Sequence, residues 1–381
     1  MTAKKSIIAI VDDEPVNRLI LKRSFYDTDY ICREYEDGES FLSSLDEETP
    51  DLVLLDIMMP GLNGFDVCKS LKNNPKAFDV PIIIITALSD KESKIKGLEL
   101  GAYDVITKPF DIFEVQLRVK QYLIMRELFL KVRRYNDIMK KEILAARKLQ
   151  LSMLPESVIE INDSLTFINE YYPCDDLGGD FLDFIPLNDE FSLFFIADVS
   201  GHGVASALIT VFLKDFFNQN QALFLHTIDP AYLLSELNNA FIALNFQDKY
   251  LTMFVAFINH KTNEVLWSSA GPNTMPLLIT EDSITELKNE AIAIGWWPDV
   301  KFDSYSVVLP ENSMLLCYSD AVIEAKNPQN EFLNVDGLKT ILKSIDLLRY
   351  EDLQIIIQSL LDYTGQVSFN DDLSLMAIKR K

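Results

Sequence analysis

Residues 111–154 contain neither glycine nor proline and consist mainly of strong helix formers. At about 1.5 Å per residue, an uninterrupted helix of that length extends about 65 Å, more than a typical domain is wide. The stretches on either side must therefore each bury a core of their own, and a chain of 381 residues has enough for two or three domains. Val115, Val119, Tyr122, Leu128, Val132, Tyr135, Met139, Ile143, Ala146 and Met153 recur mostly at three- and four-residue intervals among Lys, Arg and Glu. That spacing predicts a coiled coil over a connector at 111–155, and hence a homodimer. The other reading is a helix that closes the first domain, followed by one packed on the next. Pro155 ends the segment.

Ahead of the connector, residues 7–11, 52–55 and 82–85 are short, continuously apolar and rich in β-branched residues, with helix-length segments between them. Such runs are parallel strands covered on both faces, the mark of an α/β doubly wound sheet. A weaker run follows at 104–107. Each run ends in a polar residue: Asp12 and Asp13, then Asp56, then Thr86, then Lys108. These meet at the carboxyl edge of such a sheet, where open α/β folds bind ligands. Clustered carboxylates repel unless a hard cation such as Mg2+ bridges them, a lysine can pair with a phosphoryl group, and a carboxylate can serve as the nucleophile that accepts it. A nucleotide-binding or purely structural α/β domain is the alternative, but no glycine-rich phosphate loop is present.

The set Asp12-Asp13, Asp56, Thr86 and Lys108-Pro109-Phe110 closely resembles the receiver domain of two-component response regulators, over residues 1–120. The resemblance implies a flavodoxin-like fold with Asp56 as phosphoacceptor. It implies Mg2+ held by Asp13, Asp56 and the Met58 carbonyl with Asp12 nearby, and Thr86 and Lys108 against the phosphoryl oxygens. A sensor histidine kinase or phosphotransfer protein would be the phosphodonor, and Lys108-Pro109 a cis peptide. Where the family places a switch aromatic, three residues before the lysine, this chain has Val105, and Tyr103 lies two residues earlier.

Beyond the connector, residues 156–381 alternate short strand-like runs with helical patterns around 205–217 and 232–244, which predicts an α+β domain with a largely antiparallel core. An apolar run at 191–197 stops at Asp198, and Gly201 and Gly203 bracket His202. Three further aspartates stand in similar settings: Asp180 after Gly178-Gly179, Asp320 after the run 313–318, and Asp371 before the last run. Any one alone reads as a turn or cap residue. Together they can supply the oxygens of a two-metal centre, a device suited to phosphate-ester hydrolysis. No Ser-His-Asp arrangement or basic phosphate clamp competes with them.

The ordered motifs are Gln150 within 146–155, Gly-Gly-Asp at 178–180, Asp-Val-Ser-Gly-His-Gly at 198–203, Ala-Gly-Pro-Asn at 270–273, Ser-Asp-Ala with Glu324, and Asp-Asp-Leu-Ser at 371–374. They resemble the bacterial PPM-type serine/threonine phosphatases, similar to protein phosphatase 2C, of the sporulation and stress-response group. The resemblance implies an αββα sandwich holding two Mn2+ or Mg2+ ions. Asp198 would bridge them, with Asp180 and the Val199 carbonyl on one ion and Asp320 and Asp371 on the other; Asp372 is adjacent. Many relatives have glycine where this chain has Ala321. The implied activity is metal-dependent phosphoserine/phosphothreonine hydrolysis on a protein such as an anti-sigma factor antagonist, under control of Asp56. The binding-class alternative is a pseudophosphatase adaptor for a sigma factor or its regulator.

Lys plus Arg total 35 against 58 Asp plus Glu, a net charge of 35 − 58 = −23, which argues against nucleic acid or an anionic membrane as partner. No apolar run reaches the ~18 residues of a membrane helix, and residues 1–6 lead straight into a strand, so neither a membrane anchor nor a signal peptide is expected. Cys32, Cys68, Cys174 and Cys317 form no CxxC and read as reduced thiols of a cytoplasmic protein. His202 reads as a turn residue or a general acid, His226 and His260 as packing or surface residues, and Trp267, Trp296 and Trp297 as core or a lid contact.

Overall fold

The computed structural model describes residues 5–87, 91–246, 248–271, 275–345, 348 and 353–381. Contacts divide the chain into two units, Met1–Met139 and Lys140–Lys381. In the first, β1 (Ile7–Val11), α1 (Pro15–Ser24), β2 (Ile31–Tyr35), α2 (Gly38–Ser44), β3 (Leu52–Leu55), α3 (Gly64–Lys72), β4 (Ile82–Thr86), α4 (Lys91–Glu99) and β5 (Asp104–Thr107) alternate. The strands form one parallel sheet in the order β2-β1-β3-β4-β5. Alternate residues of a strand face opposite sides, so each inner strand feeds two cores. Ala9, Val11, Val53, Leu55, Ile82 and Ile84 meet α2 and α3 through Phe41, Val67 and Leu71. Ile8, Ile10, Leu52, Leu54, Ile83 and Ile85 meet Leu21 and Phe25 at α1 and Val115, Val119 and Leu123 on the helix that follows. This is why β1, β3 and β4 read as unbroken apolar runs. Strand β2, Ile-Cys-Arg-Glu-Tyr at the sheet edge, has two exposed members and escapes that pattern.

The connector is helical over α5 (Ile112–Ser152). Val115 and Val119 are fully buried in the first unit, and Arg126 is 8% exposed, with ion pairs to Asp51 and Asp79. Farther along, Leu128, Val132, Tyr135 and Met139 are all more than half exposed, at 57%, 58%, 71% and 58%.

The second unit continues with β6 (Val158–Glu160), β7 (Leu165–Tyr172), β8 (Asp180–Pro186), β9 (Phe191–Val199), α6 (Val204–Gln219), α7 (Gln221–His226), α8 (Pro230–Ala243), β10 (Leu251–Asn259) and β11 (Glu264–Ala270). It then runs through β12 (Leu277–Ile279), β13 (Ile284–Glu286), β14 (Tyr305–Val308), β15 (Ser313–Tyr318), α9 (Asp320–Ile323), α10 (Asn334–Ser344), α11 (Gln354–Thr364) and β16 (Leu373–Arg380). Two antiparallel sheets result, β14-β11-β10-β9-β8 and β13-β12-β15-β16-β7-β6. Between them lies a core of Phe167, Phe184, Phe194, Phe254, Leu315 and Met376. The other faces of the same strands carry Phe181, Phe195 and Val255 against α6, α7 and α8, and Leu316, Leu375 and Ala377 against α10 and α11. Helices on two sheets make the αββα sandwich, with α10 and α11 added to the helices visible as sequence patterns. All four cysteines are free thiols, and no helix is long and apolar enough to cross a membrane.

Phe195 is fully buried and stacks on Phe217 with ring centroids 4.0 Å apart. Phe195→Ala should lower unfolding free energy by about 3–5 kcal/mol, read from the chemical denaturation midpoint of the second unit. Val367→Ala, at a side chain 98% exposed, should stay within about 0.5 kcal/mol.

Candidate functional site

The parallel sheet gathers the polar residues that end its strands. Asp12 and Asp13 follow β1, Asp56 follows β3, Thr86 closes β4 and Lys108 follows β5. Asp12, Asp56 and Thr86 are buried and Asp13 is exposed. Lys108 Nζ lies 2.9 Å from Asp12 Oδ2 and 2.5 Å from Asp56 Oδ2. Burial pulls the lysine pKa down, but hydrogen bonds and charge from Asp56 and Asp12 outweigh it and leave the pKa raised. Carboxylate oxygens of Asp12, Asp13 and Asp56 all fall within 4.8 Å of one another, a set of hard donors that fits a divalent cation.

Met58 is exposed in the loop after β3, and its N–H donates to Asp56 Oδ1 at 3.2 Å. Gly64 starts α3 so close that a Cβ there would lie 2.2 Å from the Asp56 carbonyl oxygen. The Lys108-Pro109 peptide is cis. Three contributors had no separate sequence signal. Asn17 donates to both Asp12 oxygens at 3.2 Å, the Glu14 N–H donates to Asp12 at 2.9 Å, and Arg18 donates to the Asp12 and Asp13 carbonyls. At the switch position, Val105 packs in the α2–α3 core. Tyr103 sits at the surface against Tyr122, ring centroids 5.7 Å apart.

In the second unit, Asp180 and Asp198 are register partners on neighbouring strands β8 and β9. Asp180 is buried and accepts from Ser374 Oγ at 2.6 Å. Burial, then the charge of Asp198, then that of Asp372 push its pKa well above the carboxylate range. Asp198 rises to about 7 through burial and the charges of Asp320, Asp371, Asp372 and Glu324. Glu324 is raised by burial, then by Asp320 and Asp371. Asp198, Asp320, Asp371 and Asp372 line one pocket with Gly201, His202 and Thr252. Carboxylates whose charges add to burial in raising Asp180, Asp198 and Glu324 are a donor set that fits divalent cations. Among the described residues only Asp12, Asp13 and Asp56 bring three donors within 4.8 Å, so the second set is more widely spread.

The surrounding backbone explains the glycines. A Cβ at Gly178 would fall 2.1 Å from Tyr171 Oη, and one at Gly179 would fall 2.7 Å from the Val199 carbonyl oxygen. The Gly179 N–H donates to Asp372 Oδ2 at 2.6 Å and the Cys174 N–H to Asp372 Oδ1 at 2.9 Å, so buried Asp372 holds the turn before Asp180. Gln150, buried near the end of α5, donates to the Gly178 carbonyl at 2.8 Å and to Thr210 at 3.2 Å, and accepts from the Gly178 N–H at 3.2 Å. Gly201 and Gly203 have φ of 74° and 89°, in the left-handed region that favours glycine. Ala321 lies inside α9 with no positive φ, so its Cβ carries no such strain. Pro272 and Asn273 lie outside the described residues.

His202 is exposed, its Nδ1 3.7 Å from Asp175 Oδ2. His226 is on the surface, and His260 shares a hydrogen bond with Ser192 at 3.0 Å. Trp267 is core, stacked on Tyr305. Trp296 and Trp297 are 55% and 61% exposed, which excludes the core and leaves the lid contact of the two expectations. Gly295, just before them, has a φ of 96°.

With this geometry in place, comparison with known proteins identifies two regions. The Stage II sporulation protein E (SpoIIE) family model matches residues 189–381, and the response regulator receiver domain model matches residues 8–120. Among curated proteins, the chain is 45% identical over 120 residues to the probable transcriptional regulator ycf27 of Porphyridium aerugineum, covering 32% of this chain and 49% of that protein. It is 41% identical over 127 residues to the alkaline phosphatase synthesis transcriptional regulatory protein PhoP of Bacillus subtilis (strain 168), covering 32% and 50%. The chain thus spans about half the length of these relatives. The SiaA-PP2C domain of Pseudomonas aeruginosa aligns with a TM-score of 0.56 at 17% identity, over 65% of this chain and 99% of that one, a likeness of fold.

Because Asp198 has a folded-state pKa near 7, above its unfolded value, the folded state binds the extra proton between those values. Stability of the metal-free protein should therefore fall as pH rises from about 4 to 7 and level off above. In EDTA at pH 8, Asp198→Asn should melt several degrees above wild type, and the two should converge near pH 4. Parallel melting curves at all pH values would refute this.

Proposed function

Because this chain belongs to the Stage II sporulation protein E (SpoIIE) family and carries a response regulator receiver domain ahead of the matching region, we propose that it is a phosphorylation-controlled, metal-dependent phosphoserine/phosphothreonine protein phosphatase. In this reading, residues 1–120 receive the signal, 111–155 connect and 156–381 hydrolyse a phosphoprotein, with an anti-sigma factor antagonist the first substrate to test. The observation that carries it is the convergence of Asp198, Asp320, Asp371 and Asp372 on one pocket, where burial and then the neighbouring carboxylates raise Asp198 to about 7.

Asp56 would take a phosphoryl group from a phosphohistidine of a sensor histidine kinase or phosphotransfer protein. A carboxylate oxygen forms the new P–O bond as the P–N bond breaks and the histidine nitrogen takes the electron pair. Thr86 and Lys108 would contact the phosphoryl oxygens, and Asp12, Asp13, Asp56 and the Met58 carbonyl would hold Mg2+. In the output domain, Asp180, Asp198, the Val199 carbonyl, Asp320 and Asp371 would hold two Mn2+ or Mg2+ ions. Such ions, when bound, lower the pKa of a water and neutralise phosphoryl oxygens. The chain's own part is orientation. Ser374 donates to Asp180, Asp372 and Gln150 hold the Gly178-Gly179 turn, and Thr252 stands opposite Asp198 in the ladder. The unstrained Ala321 removes one ground for an inactive adaptor.

Dimerisation through the connector belongs to the same proposal. Met125, Leu128, Val132, Tyr135 and Met139 are spaced by three, four, three and four residues, and all are exposed. A coiled-coil seam has that spacing and covers such side chains.

With Mn2+ and a phosphoserine peptide, the full-length protein should release phosphate, and Asp198→Asn should retain under about 1% of the rate, a loss of roughly 3 kcal/mol or more. Asp56→Asn should keep hydrolysis but lose its response to the phosphodonor. Absence of hydrolysis in wild type under any metal and receiver state would refute the catalytic reading. In sedimentation, wild type should run at twice the 43.5 kDa chain mass and Val132→Glu/Tyr135→Glu at that mass; a monomeric wild type would refute the dimer.

A further inference from the structure

Three exposed aromatic side chains flank the carboxylate pocket: Tyr250, just before β10, and Trp296 and Trp297 in the loop between β13 and β14. Trp296 meets Tyr250 edge-on, with ring centroids 5.3 Å apart and planes at 67°. Both line the carboxylate pocket, and both also line the adjoining hollow with Phe246, Gly295 and Trp297. Phosphoester pocket and aromatic surface are therefore continuous.

The loop carrying the indoles is held from several sides. Ile294 and Leu251 exchange both backbone hydrogen bonds, at 3.0 and 3.1 Å. Fully buried Asn238 on α8 accepts from the Gly295 N–H at 2.9 Å and donates from Nδ2 to the Trp297 carbonyl at 2.9 Å. Gly295 has a φ of +96°, and a Cβ there would fall 2.7 Å from the Phe241 ring. A buried amide and an obligate glycine thus hold two indoles in water, where apolar surface is unfavourable unless something covers it.

The chemistry of the pocket says what covers it. Among the described residues lining it there is no arginine or lysine. Lys249 beside it is engaged with the Ser200 carbonyl at 2.6 Å and Ser206 Oγ at 3.0 Å. That lining therefore offers a phosphoprotein no lysine or arginine, and the exposed rings beside it offer apolar contact for the residues around the phosphate. Rigid aromatic side chains bring large contact area with little entropy to lose, and Trp and Tyr are the usual anchors of protein recognition.

Resting on the phosphatase reading, we propose that Tyr250, Trp296 and Trp297 form a docking shelf for a phosphoprotein segment with a bulky apolar side chain next to its phosphoserine or phosphothreonine. The shelf sets which phosphorylated residue of a partner is taken, and the carboxylate pocket does the chemistry.

The test uses the full-length protein with Mn2+ and two synthetic phosphoserine peptides, identical except for Leu or Ser on either side of the phosphorylated residue. Wild type should favour the Leu-flanked peptide by about 10- to 30-fold in kcat/KM, mostly through KM. In Trp296→Ser/Trp297→Ser the ratio should fall to about one, and in Trp296→Phe/Trp297→Phe most of it should remain. The ratio is its own control, since partial unfolding lowers both rates together. Equal wild-type rates on the two peptides, or a preference that survives the serine variant, would overturn the shelf and leave the phosphatase standing. No hydrolysis of either peptide would overturn both.

Discussion

A like-charge contact governs the second unit. Asp180 and Asp198 face each other across β8 and β9, and the charges of Asp320, at the start of α9, and of Asp371 and Asp372, just before β16, act on Asp198. Repulsion of this kind would splay a flexible structure. Here it is withstood by two sheets packed through Phe167, Phe184, Phe194 and Phe254, with helices on their other faces. Hydrogen bonds finish the restraint, from Ser374 to Asp180 and from the Gly179 and Cys174 amides to Asp372. The cost of assembling the carboxylates is stored in raised pKa values, the form in which a cation can release it.

The first unit meets the same difficulty with a different counter-charge. Asp12 and Asp56 share Lys108, whose ammonium lies within hydrogen-bonding distance of both. The parallel sheet is what makes this contact: residues 12, 56 and 108 are far apart in sequence, yet each follows a strand end on one edge. Core β-branched residues on both faces hold that edge in place, so chemistry and packing are two ends of the same strands.

The helix α5 enters each unit differently. Val115, Val119 and Leu123 are buried at one end in the first unit, and Gln150 is buried at the other in the second, holding the Gly178 turn beside Asp180. Between these anchors its apolar residues face water, which is the constraint behind the proposed dimer. Gln150 was visible in the sequence only as part of a motif. Its partner lies 28 residues away, and no helical or strand period connects the two.

Much of the architecture was legible because burial on both faces leaves a plain mark: β1, β3 and β4 are apolar runs, β9 and β10 carry apolar stretches at 193–197 and 253–258, and the aspartates that follow several of them stand out. Edge strand β2 left no such mark, since half its surface is wet and its residues are mixed. Ser374 and Asp372 could be read as motif members, but their work on Asp180 and Gly179 spans 194 and 193 residues and exists only after the sheets pair. Trp296 and Trp297 read from residue type as core or a lid contact; only the packed loop, with the Asn238 amide on the Gly295 N–H and the Trp297 carbonyl, leaves them exposed. The sequence by itself determined which residues could be strands, helices and ligands, because periodicity and side-chain chemistry are local. Tertiary structure alone decided which carboxylates feel one another and which aromatics meet water, because charge interaction and burial depend on distances that only the packed sheets and their loops define.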